Sequence, residues 1–164
     1  MHILVLQHAV VEHPGIFRSF LVRDGHSYDA VELDEGAVLP ALDAYDALWV
    51  MGGPMDVWQE AAHPWLKLEK ALIQEAVQTR KMPFLGLCLG HQLLAEALGG
   101  RVGKSNVPEV GVMEVSLTAE GATANIFSDL PQQFQCLQWH SAEVTAMPTG
   151  AVCLAASAAC DVQA

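Results

Sequence analysis

The sequence predicts an α/β fold, an open and mostly parallel sheet with helices on both faces. Three observations predict it. Short apolar runs alternate with longer stretches of helical spacing as far as residue 100, the pattern of strands covered on both sides. Glycines and prolines punctuate the ends of those runs. Hydrophobic residues make up 52% of the 164 and charged residues 16%, which suits one domain with a single core and excludes a disordered chain. Residues 1–164 are read as that single domain.

Residues 2–7 are a short apolar run and read as a first strand. The stretch lacks a basic flank and is too short for a signal peptide. Residues 14–24 place Ile16, Phe17, Phe20 and Leu21 at helical spacing. Pro14 is tolerated in a first turn, and Gly25 can cap the end. His26 to Leu33 is a second strand, and Asp46 to Met51 a third, buried on both faces and stopped by Gly52-Gly53-Pro54. Residues 64–80 form the longest helical pattern, with Leu66, Leu68, Leu72, Ile73 and Ala76 as core candidates. Pro83 to Leu87 is a further buried strand. Leu89 to Leu98 is helical and ends at Gly99-Gly100. Beyond residue 100 the strand-like runs at 112–118, 133–139 and 151–156 are separated by turns.

The charge balance is 8 basic against 19 acidic residues. Nucleic-acid binding needs clustered Lys and Arg to neutralise phosphates, and no such cluster is present. Anionic membranes are disfavoured for the same reason, and no apolar run reaches the roughly 20 residues of a spanning helix. The expectation is a cytoplasmic protein without nucleic-acid or membrane partners. The four cysteines, Cys88, Cys136, Cys153 and Cys160, have no CxxC spacing, so neither a metal knuckle nor a disulfide scaffold is expected. No His spacing suggests a metal site, and no cofactor is expected. Cys136 and Cys153 lie in apolar runs and read as small buried residues.

Cys88 is different. Gly86-Leu87-Cys88-Leu89-Gly90-His91-Gln92 joins a strand to a helix, at the strand end where ligands bind in open α/β sheets. A nucleophile elbow needs small residues at the two flanking positions, because backbone passes close to backbone there. The helix N-terminus favours a thiolate, and the Leu89 N–H points where an oxyanion would form. A buried cysteine in a glycine-flanked strand would read alike. Two neighbours favour the elbow: Gln92, one helical turn on, and the Gly52-Gly53-Pro54 loop with its backbone donors.

Together these motifs resemble the class I glutamine amidotransferases. Met51-Gly52-Gly53-Pro54 is similar to the family's oxyanion loop, the Cys88 segment to its nucleophile signature, and Trp139-His140-Ser141 to its later substrate-wall motif. Leu6-Gln7-His8, Tyr45-Asp46-Ala47-Leu48, Pro64-Trp65-Leu66 and Glu109-Val110-Gly111 resemble the stand-alone, GMP synthase-like subgroup. The resemblance implies a flavodoxin-like sheet and hydrolysis of L-glutamine through a γ-glutamyl thioester on Cys88. It implies an oxyanion hole at Gly53 and Leu89, and substrate contacts from Gly52, Gln92, His140, Ser141 and Ala142. It also implies that ammonia passes to a synthetase partner or acceptor enzyme.

Expelling ammonia requires a proton, so a general acid–base is needed near the sulfur. The family draws it from a late His-Pro-Glu motif. His13-Pro14 and His63-Pro64 both precede the nucleophile and lack the Glu. The expectation is a C-terminally incomplete chain, one or more strands short, that turns over little by itself. His140 is a candidate substitute, with a structural wall histidine as the competing reading. His91 is rotated away from Cys88, and His8, at the end of the first strand, reads as surface or loop packing, with the lining of the pocket mouth as the alternative. Glu96 is placed to pair with Arg101. Glu109 belongs either to a loop closing over the pocket or to solvent. Trp49, Trp58, Trp65 and Trp139 read as core or loop packing. Two other functions stay open: a related cysteine hydrolase of γ-glutamyl amides, and a non-catalytic module with a redox-sensitive Cys88.

Overall fold

Ile3, Leu4, Val5 and Leu6 are all fully buried. A strand alone buries consecutive side chains on opposite faces, and these residues form β1 (His2–Gln7). It lies inside a four-stranded parallel sheet of order β2-β1-β3-β4, with β2 at Ser27–Glu32, β3 at Ala47–Val50 and β4 at Phe84–Gly86. The computed structural model describes residues 1–164, which gather into two units, Met1–Leu98 and Gly99–Ala164. The parallel sheet belongs to the first.

Helices cover both faces of this sheet. On one face Leu21 of α1 (Phe17–Arg23) joins Ile3, Val5, Ala47 and Met51 in a buried cluster, and Phe17 meets Trp49 edge-on at 5.6 Å. On the other, α3 (Leu89–Ala97) lies so close to Val50 that a Cβ on Gly90 would sit 2.9 Å from the valine Cβ. The predicted cap of α1 forms: Gly25, at φ +70°, donates to the Val22 carbonyl, and the His26 N–H donates to Leu21. The helix itself starts three residues after Pro14, which is the acceptor of a turn from the Phe17 N–H.

The long helix is α2 (Trp65–Gln74), continued by a π-helical turn over Glu75–Thr79. Leu66, Ile73 and Ala76 are buried as expected, but Leu68 is 65% exposed and Glu69 is fully buried. The phase of the helix explains the correction. Positions 66, 69, 73 and 76 step by three and four residues along one stripe, and Leu68 lies off it. A carboxylate occupies the core position assigned to a leucine.

The second unit is antiparallel, with order β6-β5-β7. β5 (Arg101–Leu117) and β6 (Gln133–Ala146) are much longer than their apolar runs suggest, and β7 is only Ala155–Ser157. The β5–β6 register shifts between Lys104 and Glu109, where Pro108 offers no N–H to a ladder. Val115, Leu117 and Ala155 form its core, packed by Phe127 and Phe134. The pairs Val110–Trp139 and Val112–Leu137 share the outer face of the ribbon, and all four are exposed. Trp139 is therefore not a packing residue. Cys136 and Cys153 are only partly buried, and Cys160 is the buried thiol. No helix is long and apolar enough to cross a membrane.

Candidate functional site

β4 ends at Gly86 and α3 begins at Leu89, so Cys88 stands at the corner. Its backbone is at φ +52°, ψ −105°, a conformation that costs a non-glycine residue about 1–3 kcal/mol and persists only when its surroundings enforce it. The enforcement is visible. A Cβ on Gly86 would lie 2.6 Å from the Gly90 carbonyl carbon, and one on Gly90 would lie 2.1 Å from the Val50 oxygen. The Leu87 N–H donates to that same Val50 oxygen at 2.9 Å, and the Gly90 N–H to Leu87 at 3.0 Å. The elbow read from the glycine spacing is thus present in the backbone, pressed against the end of β3.

The glycine loop lies against this corner. A Cβ on Gly52 would be 3.7 Å from Cys88 Cβ and 2.6 Å from a carboxylate oxygen of Glu12. A Cβ on Gly53 would strike Met55 Sδ, Leu89 Cδ2 and His8 Cβ, each within 3.0 Å. No backbone carbonyl accepts from the Gly53 N–H. Leu89 and Gln92 are buried on α3, and the Gln92 N–H donates to the Cys88 carbonyl at 3.1 Å. The first unit therefore brings together Gly52, Gly53, Cys88, Leu89 and Gln92.

The Cys88 thiol corrects one expectation. The side chain is exposed on one side and walled on the other. Partial desolvation raises it above the ordinary thiol value, the Leu89 N–H pulls it back, and the negative charge of Glu12 pushes it further up. The helix N-terminus does favour the thiolate, but burial outweighs it. Glu12, which carried no signal in the sequence, is part of this environment.

A further feature lies behind the glycine loop. His8, expected in surface or loop packing, is 1% exposed. Its Nδ1 lies 2.8 Å from the Gly52 carbonyl oxygen and its Nε2 lies 2.9 Å from Glu69 Oε1. Its ring stacks on Trp65 at 5.3 Å. Burial pushes the imidazole down, but the hydrogen bond and charge of Glu69 push it up further, with help from the Gly52 carbonyl and Asp34. The signal that could have found the pair is the phase of α2, in which Glu69 interrupts an apolar stripe. Lys70, next to it, donates to the Val57 carbonyl, to Glu60 and to Glu96 at 2.6–2.9 Å. Glu96 is thus paired with Lys70 and not with Arg101.

In the second unit, His140, Ser141 and Ala142 lie together on β6. Glu109 is neither a loop closure nor a solvated charge. It is a buried strand residue directly opposite His140. His140 Nε2 is 3.1 Å from Glu109 Oε2, and its Nδ1 is 3.1 Å from the Ala142 carbonyl. Ser157 donates to Glu109 Oε1 at 2.8 Å and Gln163 to Glu109 Oε2 at 2.6 Å. Ligating atoms of Glu109, His140 and Cys160 lie within 4.8 Å of one another. Hydrogen bonds from Ser157 and Gln163 already occupy the carboxylate, and the cluster reads as a polar network; burial raises the Cys160 thiol to about 11.

Residues 17–164 match the family described as glutamine amidotransferase class-I. A glutamine-hydrolyzing GMP synthase subunit from Sulfolobus acidocaldarius is 32% identical over 159 residues, covering 95% of this chain and 79% of that protein. A putative glutamine amidotransferase-like protein, YfeJ, of Salmonella typhimurium is 29% identical over 167 residues, covering 99% and 69%. The crystal structure of a glutamine amidotransferase from Thermotoga maritima matches with a TM-score of 0.91 at 28% identity, covering 99% of this chain and 70% of that one.

Proposed function

Because this chain belongs to the class I glutamine amidotransferase family, we propose that it carries the nucleophile side of a glutaminase reaction centred on Cys88. The observation that carries the reading is the enforced elbow: a cysteine at positive φ between two glycines that admit no side chain, beside a second glycine loop. In the proposed reaction the Cys88 thiolate attacks the side-chain amide carbon of glutamine. The developing oxyanion takes hydrogen bonds from the Gly53 and Leu89 N–H groups. The C–N bond breaks as nitrogen takes up the proton that the Cys88 thiol gave up and leaves as ammonia, and water then hydrolyses the thioester to glutamate, its proton restoring the free thiol. Gln92, buried one turn along α3, holds the amino-acid end of the substrate.

Ammonia is passed on, in this reading, to an acceptor bound by a separate synthetase. The likeness to subunits named as part of GMP synthase supports that partner. Residues 1–164 serve as one amidotransferase-like domain, and a cytoplasmic setting fits four unpaired thiols.

A glutamine-derived diazoketone tests the reading. It is expected to label Cys88 alone, with Cys88→Ala abolishing labelling and excess glutamine protecting. Labelling at another residue, or no protection by glutamine, would remove the proposal. The 164 residues contain no His-Pro-Glu after Cys88, so labelling is expected to be far more prominent than steady ammonia release from this polypeptide alone.

A further inference from the structure

We propose that His8 and Glu69 form a buried positioning pair that aims the Gly53 N–H into the oxyanion hole. The inference rests on the reading of Gly53 as an oxyanion donor and adds what holds that donor in place. Glycine is the residue least able to fix its own backbone, and two glycines in succession form this loop. Something outside the loop must therefore fix the orientation of the 52–53 peptide.

The His8 ring supplies it. A carbonyl can only accept, so the Nδ1 atom 2.8 Å from the Gly52 oxygen donates a proton to it. All peptide bonds in the chain are trans, and in a trans peptide the C=O and the following N–H point in opposite directions. Anchoring the Gly52 oxygen on His8 therefore turns the Gly53 N–H to the other side of the loop. Glu69 Oε1 accepts from the opposite ring nitrogen, Nε2, and its charge stabilises the doubly protonated imidazolium, in which Nδ1 keeps its proton. The stack on Trp65 fixes the ring plane. Both side chains of the pair are completely buried.

That burial is itself informative. Replacing a buried charged pair with apolar residues of similar volume is often neutral or stabilising, so stability alone does not account for the pair. Glu69 Oε2 has no hydrogen-bond partner, so the site tolerates an unsatisfied buried oxygen to keep a carboxylate at this position. Lys70 ties the same stretch of α2 to the Val57 carbonyl and Glu60, in the segment following the glycine loop.

The test compares two reactions of Cys88 that differ in one respect. Acylation by p-nitrophenyl acetate passes through a tetrahedral oxyanion: sulfur bonds to the acetyl carbon, and p-nitrophenolate leaves without needing a proton. Alkylation by iodoacetamide is a direct displacement of iodide and forms no oxyanion. Rates are corrected with Cys88→Ala. Two double variants keep the pocket filled and uncharged. His8→Phe with Glu69→Leu removes the donor to Gly52. His8→Asn with Glu69→Gln retains one, because an asparagine amide N–H reaches where Nδ1 does.

The first is expected to slow acylation by about tenfold to a hundredfold and to leave alkylation within about twofold. The second is expected to recover most of the acylation rate. Equal losses in both reactions, or unchanged acylation in the folded first variant, would overturn the pairing. A second reading needs no variant: nitrogen-15 shifts of the native His8 ring are expected to show Nδ1 protonated, and an unprotonated Nδ1 would overturn it too. Neither probe is glutamine. Acylation that depends on His8 but no protection by glutamine in the labelling experiment would remove the substrate assignment and leave the positioning pair standing.

Discussion

The Cys88 corner and the Glu109 cluster hold polar residues in place by opposite means. At the Cys88 corner, in Met1–Leu98, the backbone does the positioning. Cys88 is fixed by a strained φ and by glycines at 86 and 90 that touch neighbouring backbone. In Gly99–Ala164 the side chains do it. Glu109 gathers His140, Ser157 and Gln163 around one buried carboxylate on an antiparallel ribbon. A backbone site fails when a methyl group is added, whereas a side-chain network fails when an acceptor is removed. That difference sets what each unit tolerates.

The most severe break is expected at Gly90. An alanine Cβ there would lie 2.1 Å from the Val50 oxygen and 2.7 Å from its carbonyl carbon. Neither is the end of a flexible side chain, so the strand or the helix has to move. Gly90→Ala is expected to cost about 3 kcal/mol or more, measured by urea unfolding, and to abolish electrophile labelling of Cys88. The same substitution at Gly99, whose added Cβ meets nothing within 4 Å, carries only the penalty of its positive φ. A cost at Gly90 no greater than at Gly99 would show that backbone contact does not define the elbow.

The second unit is expected to break differently. Glu109→Ala leaves the His140 ring, the Ser157 hydroxyl and the Gln163 amide without their common acceptor. A loss of about 2–3 kcal/mol follows from leaving such groups unsatisfied. Glu109→Gln keeps the volume and one carbonyl oxygen, and is expected to cost less than half as much. Urea unfolding of both variants decides the matter. Equal losses would mean that the charge, rather than the acceptor count, holds the cluster.

The same contrast explains which features were legible in the sequence. A site built from backbone leaves a local trace, because glycine is required where backbones touch. Gly86, Gly90 and the Gly52-Gly53 pair mark the elbow and its loop in the sequence itself. The parallel strands were legible for a similar reason: runs such as Ile3–Leu6 are apolar at every position, as interior strands must be. Side-chain pairs leave no such trace. Glu109 meets His140 only because a register shift near Pro108 sets them opposite each other. His8 meets Glu69 across 61 residues of sequence, and the misplaced core position at Leu68 concealed the partner one residue away.

The smallest effect separates the buried pair from its surroundings by pH. The His8 imidazole is raised above its ordinary value of 6.5. Burial acts against this, and the bond and charge of Glu69 overcome it, with the Gly52 carbonyl and Asp34 adding to the same direction. A group raised on folding binds its proton more tightly in the native state. Its contribution is fully present below the unfolded value and is lost as pH rises through the folded one. Wild-type stability is therefore expected to decline as the pH is taken upward from 6.5, measured by urea unfolding at successive pH values. In Glu69→Gln the two largest upward pushes are gone and desolvation is opposed only by the Gly52 carbonyl and Asp34, so this decline is expected to weaken markedly. An identical decline in both proteins would place the titration elsewhere, and the pair would then contribute geometry to the loop without a pH-dependent share of the stability.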